Sequence, residues 1–218
     1  MYPWVTHLWN PISGPCPHAC TYCYVKSMRR VKQPTKLTLN EPFPALGKGK
    51  TIFVGHMIDM FAGDIYFQWP PRILEHCQRY PQNTYVFQSK DPAGIYIHYS
   101  ELPPGSILGT TVETNRYALL RRYSVPISAN NRLGYLRAFN KPQFKTFITA
   151  EPIMDFDVDE FSQMLIEAHP DFINIGADSK GHNLPEPTQA KISELVTALK
   201  AARIEVRLKD NLKRLFPW

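Results

Sequence analysis

The chain has 218 residues, 44% of them hydrophobic, which is enough for one folding unit with a real core and too few for several. No apolar run approaches the ~20 residues of a membrane-spanning helix, and no stretch of basic then apolar residues opens the chain as a secretion leader would, so it reads as cytoplasmic with no membrane partner. The net charge of +6 describes a basic surface, and the 20 prolines describe many fixed turns rather than disorder, because apolar segments recur between them.

In chain order, residues 5–10 read as a first strand that runs into a cysteine-bearing loop, and residues 21–30 as the helix after it. Residues 51–57 are a β-rich run. Residues 69–80 look helical, with Pro70 and Pro71 near the start, where proline is tolerated. Strands follow at 84–89 and at 106–112, the latter after the turn residue Gly105. Residues 132–139 read as a helix and 145–150 as a fifth strand. Apolar residues at 158, 161, 164, 165 and 168 have helical spacing. Residues 171–176 read as a sixth strand. Residues 187–202 are the clearest helix, with Ile192, Leu195, Val196 and Leu199 on one stripe. Residues 204–208 are a candidate seventh strand before a short helix reaching Phe216.

Strands alternating with helices imply right-handed βαβ units and a parallel sheet. At about 30 residues per unit the length holds six or seven, short of the ~250 residues of a closed eightfold barrel. The expectation is an α/β fold: an open, partial parallel β/α barrel of six or seven strands, formed as a single domain by residues 1–218. A doubly wound sheet is the alternative, but no Gly-x-Gly-x-x-Gly follows a strand to support a dinucleotide site.

The sharpest motif is Cys16-Pro17-His18-Ala19-Cys20-Thr21-Tyr22-Cys23, spaced C-x3-C-x2-C within the loop 11–24. A structural zinc site is closed and needs four ligands. The fourth cysteine, Cys77, falls in the expected helix 69–80 and reads as a buried, inert thiol, which leaves His18 as the candidate fourth ligand. A reducing compartment argues against disulfides. Three thiolates can instead hold three irons of a [4Fe–4S] cluster and leave the fourth iron open to a small molecule.

This spacing, with an aromatic residue just before the last cysteine, resembles the signature of the radical S-adenosylmethionine (radical SAM) superfamily. The wider stretch from Leu8-Trp9-Asn10-Pro11 to Cys23-Tyr24 is similar to the branch that holds spore photoproduct lyase and phage-type proteins of unassigned function. The resemblance implies a partial barrel, a [4Fe–4S] cluster on Cys16, Cys20 and Cys23, and SAM at the open iron. It also implies an external electron donor of the flavodoxin or ferredoxin type. The implied chemistry is reductive cleavage of SAM to a 5′-deoxyadenosyl radical, which takes a hydrogen atom from a substrate. By the same resemblance, Asp59, with His56 in reserve, would meet the methionyl amino group, and Lys90 and Thr111 the carboxylate. Asn174 and Gly176 would line the adenine pocket with Tyr22 packed nearby, and Tyr24 would stand near the substrate.

Functional residues of parallel α/β folds gather at the C-terminal ends of strands. Here those ends carry His56, Asp59, Lys90, Thr111, Glu113, Glu151, Asn174, Gly176, Asp178, Lys209 and Asp210. The apolar residues Ile12 and Val25, with Trp4 and Trp9, are the expected shield of the cluster. The stretch 116–145 holds seven cations and no acid, and a second basic stretch runs Lys26, Arg29, Arg30, Lys32, Lys36. One-signed stretches favour phosphate-rich partners. The leading reading is therefore a radical SAM enzyme on DNA, RNA or a nucleotide-like substrate. A peptide or small-metabolite substrate is the second reading, and a non-catalytic iron–sulfur or zinc protein the third.

Overall fold

A computed structural model of the chain describes residues 2–28, 34–63, 65, 67–139 and 142–218. Among these, the strands are β1 (His7–Trp9), β2 (Ile12–Ser13), β3 (Thr38–Leu39), β4 (Thr51–Val54), β5 (Thr84–Ser89), β6 (Ile107–Thr111), β7 (Lys145–Ala150), β8 (Phe172–Ile175) and β9 (Glu205–Leu208). The helices are α1 (Trp69–Gln78), α2 (Pro92–Ile97), α3 (Tyr117–Leu120), α4 (Ala129–Phe139), α5 (Val158–Glu167) and α6 (Gln189–Ala201). Seven strands form one parallel sheet in the order β1-β4-β5-β6-β7-β8-β9, with β1 and β9 as its edges. Strand order follows chain order, as in a barrel, and the two edges leave it open. The expected open parallel β/α barrel is thus the observed fold, with seven strands in its sheet. No helix among the described residues is long and apolar enough to cross a membrane.

Both faces of the sheet are buried, and the period-2 alternation of each strand sorts its side chains between them. Ile52, Val54, Tyr85, Phe87, Leu108, Ile148, Ala150, Ile173 and Ile175 face outward and meet the apolar stripes of the helices. Those stripes include Ile73 and Leu74 of α1, Leu133 and Leu136 of α4, Phe161 and Leu165 of α5, and Ile192 and Leu195 of α6. Phe53, Val86, Phe147 and Phe172 face inward and fill the lower lumen.

The segment before β1 completes that lumen. Tyr2 stacks on Trp4 at 5.2 Å and meets Phe147 edge-on at 5.7 Å. Above this aromatic layer lies a polar one. The Tyr2 hydroxyl donates to Gln88 Oε1 at 2.8 Å and lies 2.6 Å from Thr149 Oγ1. Gln88 Nε2 donates to Thr111 Oγ1 at 2.8 Å, and Asn174 Nδ2 to Thr149 Oγ1 at 3.3 Å.

Gly109 lies opposite Phe147 in this lumen, where a Cβ would stand 2.3 Å from the Phe147 ring. Gly109→Ala is expected to lower stability by about 1–3 kcal/mol through overpacking, read as a fall in Tm on the order of 5 °C.

The structure differs from the sequence reading in several elements. The helix expected over 21–30 is a single turn at Tyr24–Ser27, and residues 29 and 30 lie outside the described residues. The loop backbone is engaged elsewhere: Cys23 is extended, and the Thr21 N–H donates to the Tyr123 carbonyl at 2.8 Å. Trp4 is in the lower lumen among Phe147 and Phe172, whereas Trp9 packs on Phe43 and His76 in the apolar cluster that also holds Ile12 and against which Cys16 packs. The short pairing of β2 with β3 and the helices α2 and α3 have no counterpart in the expected elements.

Candidate metal centre and active site

The cysteine loop leaves β2 through Gly14, whose φ of +126° and close approach to Lys36 exclude a side chain. Ala19 takes a left-handed φ of 50°, which costs an L-residue on the order of 1 kcal/mol. His18, buried, places Nε2 2.6 Å from Asp59 Oδ2. The same carboxylate oxygen accepts from Ser89 Oγ and from the Lys90 backbone N–H, both at 2.8 Å. Burial opposes the Asp59 charge, and these donors overcome it, holding its pKa below the usual carboxylate value. His18 is therefore a clasp between loop and barrel, with Nε2 committed to a carboxylate rather than offered as a fourth metal ligand.

Cys20 is buried, and Cys16 and Cys23 are half-buried. Burial pushes the free Cys16 thiol up to about 11, against lowering by backbone hydrogen bonds from Asp59 and His18. A ligating sulfur must lose that proton, so metal and proton compete for it. Among the described residues, no three His, Cys, Asp or Glu side chains converge as ligands of one metal ion would. The donor set instead suits a larger sulfur-ligated group: three thiols on one loop, with Cys20 and Cys23 packed among Tyr22, Leu120, Met154 and Leu184 and Cys16 against the main core. Cys77 is fully buried in α1, its thiol pKa raised by that burial, as an inert core residue would be.

Between Cys20 and Cys23, the buried Tyr22 donates its hydroxyl to Glu113 Oε1 at 2.7 Å. Lys90 Nζ donates to the same oxygen at 2.6 Å, to the Tyr22 hydroxyl at 2.7 Å and to Cys20 Sγ at 3.6 Å. Arg132, fully buried on α4, donates to Glu113 Oε2 at 3.0 Å and to the Thr111 carbonyl at 2.6 Å. Its Nη2 is buried with no partner. This network ties the loop to the ends of β5 and β6.

The sequence-derived residues thus divide into groups. Tyr22, Asp59, Lys90 and Glu113 are drawn together beside the cysteines. Thr111 and Asn174 belong to the polar layer in the lumen. Glu151 stands apart with Lys209 and accepts from Asn211 Nδ2 at 2.7 Å. A Cβ on Gly176 would stand 2.8 Å from Glu151 Oε1, so only glycine leaves room there. Tyr24 is partly exposed and donates to the His56 carbonyl at 2.7 Å. Asp178 is bound by His182, and Asp210 is paired with Lys213 on the surface.

The basic stretch 116–145 is not one phosphate-facing surface. Arg116 pairs with Asp155 and Asp157, which follow β7. Arg132 is buried against Glu113. Lys141, and Arg29, Arg30 and Lys32 of the second stretch, lie outside the described residues. Arg121 and Arg122 remain exposed beside the cysteine loop, with the exposed Tyr117. Arg137, near the end of α4, and Lys145, at the start of β7, lie toward the opposite end of the sheet.

Sequence reasoning passed over Gln88, Ser124 and Tyr2, and read Arg132 only as one cation of the basic stretch 116–145. Arg132 carried a signal: it is a cation on the same helical stripe as Leu133, Leu136 and Phe139, a position that requires a buried acid.

No family model and no curated protein matches this sequence. Solved structures do. A spore photoproduct lyase mutant aligns over 95% of this chain and 73% of its own, at 11% identity and a TM-score of 0.60. A second lyase mutant, with bound AdoMet and dinucleoside spore photoproduct, aligns over 90% and 61%, at 13% identity and a TM-score of 0.56. Streptococcus suis SuiB bound to S-adenosylmethionine aligns over 98% and 53%, at 14% identity and a TM-score of 0.61. The chain spans about half of SuiB and between three fifths and three quarters of the lyases. At this identity the likeness is one of fold: this chain shares the open parallel β/α barrel of the lyase and of SuiB.

Proposed function

We propose that this chain is a radical SAM enzyme whose cofactors are a [4Fe–4S] cluster on Cys16, Cys20 and Cys23 and SAM, with electrons from an external flavodoxin- or ferredoxin-type donor. One observation carries the reading: three thiols, on a loop clasped to the barrel by His18–Asp59 and Tyr22–Glu113, stand at the C-terminal end of an open parallel sheet. When bound, the two groups would supply radical chemistry: reductive cleavage of the SAM carbon–sulfur bond to give a 5′-deoxyadenosyl radical able to take a hydrogen atom. The chain's own residues bind, orient and exclude water. Lys90 offers a cation at the loop, and Thr111 and Asn174 offer polar groups from the lumen. Gly176 lets the Glu151 carboxylate and the Asn211 amide approach the backbone where a side chain would collide with them. Tyr24 is the exposed aromatic residue next to Cys23.

The substrate reading is nucleic acid or a nucleotide-like molecule. Tyr117, Arg121 and Arg122 support it, because an aromatic ring with arginines beside the cysteine loop suits bases and phosphates. The lyase likeness points the same way, since one such structure holds a dinucleoside. A peptide substrate is the second reading. It is favoured by the neutralised Arg116 and Arg132 and by a SuiB structure bound to its precursor peptide.

Anaerobic reconstitution tests the chemistry. The protein should take up iron and sulfide, turn brown, and form 5′-deoxyadenosine from SAM under reduction. Cys20→Ala should lose both the colour and the product. A colourless wild-type protein refutes the proposal. Oligonucleotide binding that weakens steeply with salt supports the substrate class, and absence of binding at low salt removes it.

A further inference from the structure

The chain between α3 and α4 runs beside the cysteine loop. The Thr21 N–H donates to the Tyr123 carbonyl at 2.8 Å, and the Val125 N–H to the His18 carbonyl at 3.3 Å. Between these two bonds, Ser124 sets its hydroxyl 2.9 Å from Cys20 Sγ. The Ser124 N–H donates to the Leu120 carbonyl at 3.0 Å, so the residue is fixed on its own side as well. Ser124 is 3% exposed and Cys20 8%, so water does not compete strongly for either group.

In the free thiol either atom can be the donor. A ligating sulfur has no proton, so the hydroxyl must then donate. A hydrogen bond to a ligand sulfur stabilises negative charge, and the reduced cluster carries one more negative charge than the oxidised one. The bond is therefore stronger in the reduced state. Lys90 Nζ also approaches Cys20 Sγ, but at 3.6 Å, with its closer bonds going to Glu113 and Tyr22. Backbone groups of His18 and Asp59 serve Cys16. Ser124 is thus a neutral side-chain donor at a cluster sulfur that mutation can remove without disturbing the main chain.

We infer that Ser124 is a positioning residue for the cluster: held by the flanking backbone bonds, its hydroxyl donates to Cys20 Sγ and makes the cluster easier to reduce. The inference rests on the cluster reading above. It concerns the ease of electron entry and not the identity of the substrate.

The test is an oxygen-free redox titration of the reconstituted protein with dithionite and mediators, without SAM, following the reduced-cluster EPR signal. At the potential that half-reduces wild type, Ser124→Ala should show a reduced-to-oxidised ratio about tenfold lower, a one-electron shift of ~59 mV. Ser124→Thr keeps the hydroxyl and should return the ratio to within about twofold of wild type. If Ser124→Ala fails to load iron, Ser124→Gly takes its place as the hydroxyl-free variant. Wild-type midpoints in a loaded hydroxyl-free variant overturn this inference and leave the enzyme proposal standing. A threonine variant that behaves like alanine also overturns it, because packing rather than the hydroxyl would then set the potential. A wild-type protein that holds no cluster overturns both readings.

Discussion

Glu113→Gln is expected to destabilise the fold by about 3–5 kcal/mol, with a fall in Tm on the order of 10 °C, measured by urea and thermal unfolding of the protein without added iron. Glu113 is fully buried, and its carboxylate holds two cations: Lys90 at 2.6 Å and the fully buried Arg132 at 3.0 Å. Glutamine keeps the shape but not the charge. It strands a guanidinium that already has one unpartnered nitrogen. Breaking one partner of a buried pair is far worse than never having had the pair. Arg132→Met with Glu113→Gln together should therefore cost less than the sum of the two single changes.

The pH dependence of that loss has a fixed sign. Burial alone would raise the Glu113 pKa. Lys90 and then Arg132 overcome it and hold the carboxyl well below the ordinary range. A depressed carboxylate gives stability that is present above its unfolded pKa of about 4.3 and is lost as pH falls toward the folded value. The gap between wild type and Glu113→Gln should thus be full at pH 7 and smaller at pH 3. An equal gap at both pH values would show that the carboxylate charge is not the source. The same variant should load less iron, since Tyr22, between two of the cysteines, is anchored on this carboxylate.

The parts of the fold that were legible in the sequence are those where one local pattern decides the outcome. Residues 84–89 and 145–150 are apolar on both faces with turn residues at each end, and they are strands over those bounds. The stripe of Ile192, Leu195, Val196 and Leu199 is the buried face of α6. The cysteine spacing marked the loop because ligands of one group must lie close in sequence. The rest depends on distant partners. Residues 21–30 have helical composition, yet Thr21 bonds to Tyr123, and no nearby residue signals that bond. The acid-free stretch 116–145 looked like one basic surface because its counter-ions, Asp155, Asp157 and Glu113, lie on other segments or just ahead of it. Ser124 is invisible for the same reason: its partner is 104 residues away.

Tyr2→Ala should cost about 3–5 kcal/mol by urea unfolding, as large aromatic deletions in packed cores do. Tyr2 is 6% exposed, and its ring touches Trp4, Phe53 and Phe147 in the lumen. The more informative variant is Tyr2→Phe. It keeps the ring, so the aromatic layer stays filled and the stability loss should be only about 1–3 kcal/mol for stranded partners. Those partners are Gln88 and Thr149, which bear on Thr111 and Asn174 in turn. If Thr111 and Asn174 meet SAM as proposed, removing the hydroxyl loosens the polar layer beneath it. Calorimetric titration of SAM into the reconstituted Tyr2→Phe protein should then show binding weakened by about tenfold, the equivalent of one net hydrogen bond. Wild-type affinity in a folded, loaded Tyr2→Phe protein would mean that this layer only fills the barrel and does not orient its ligand.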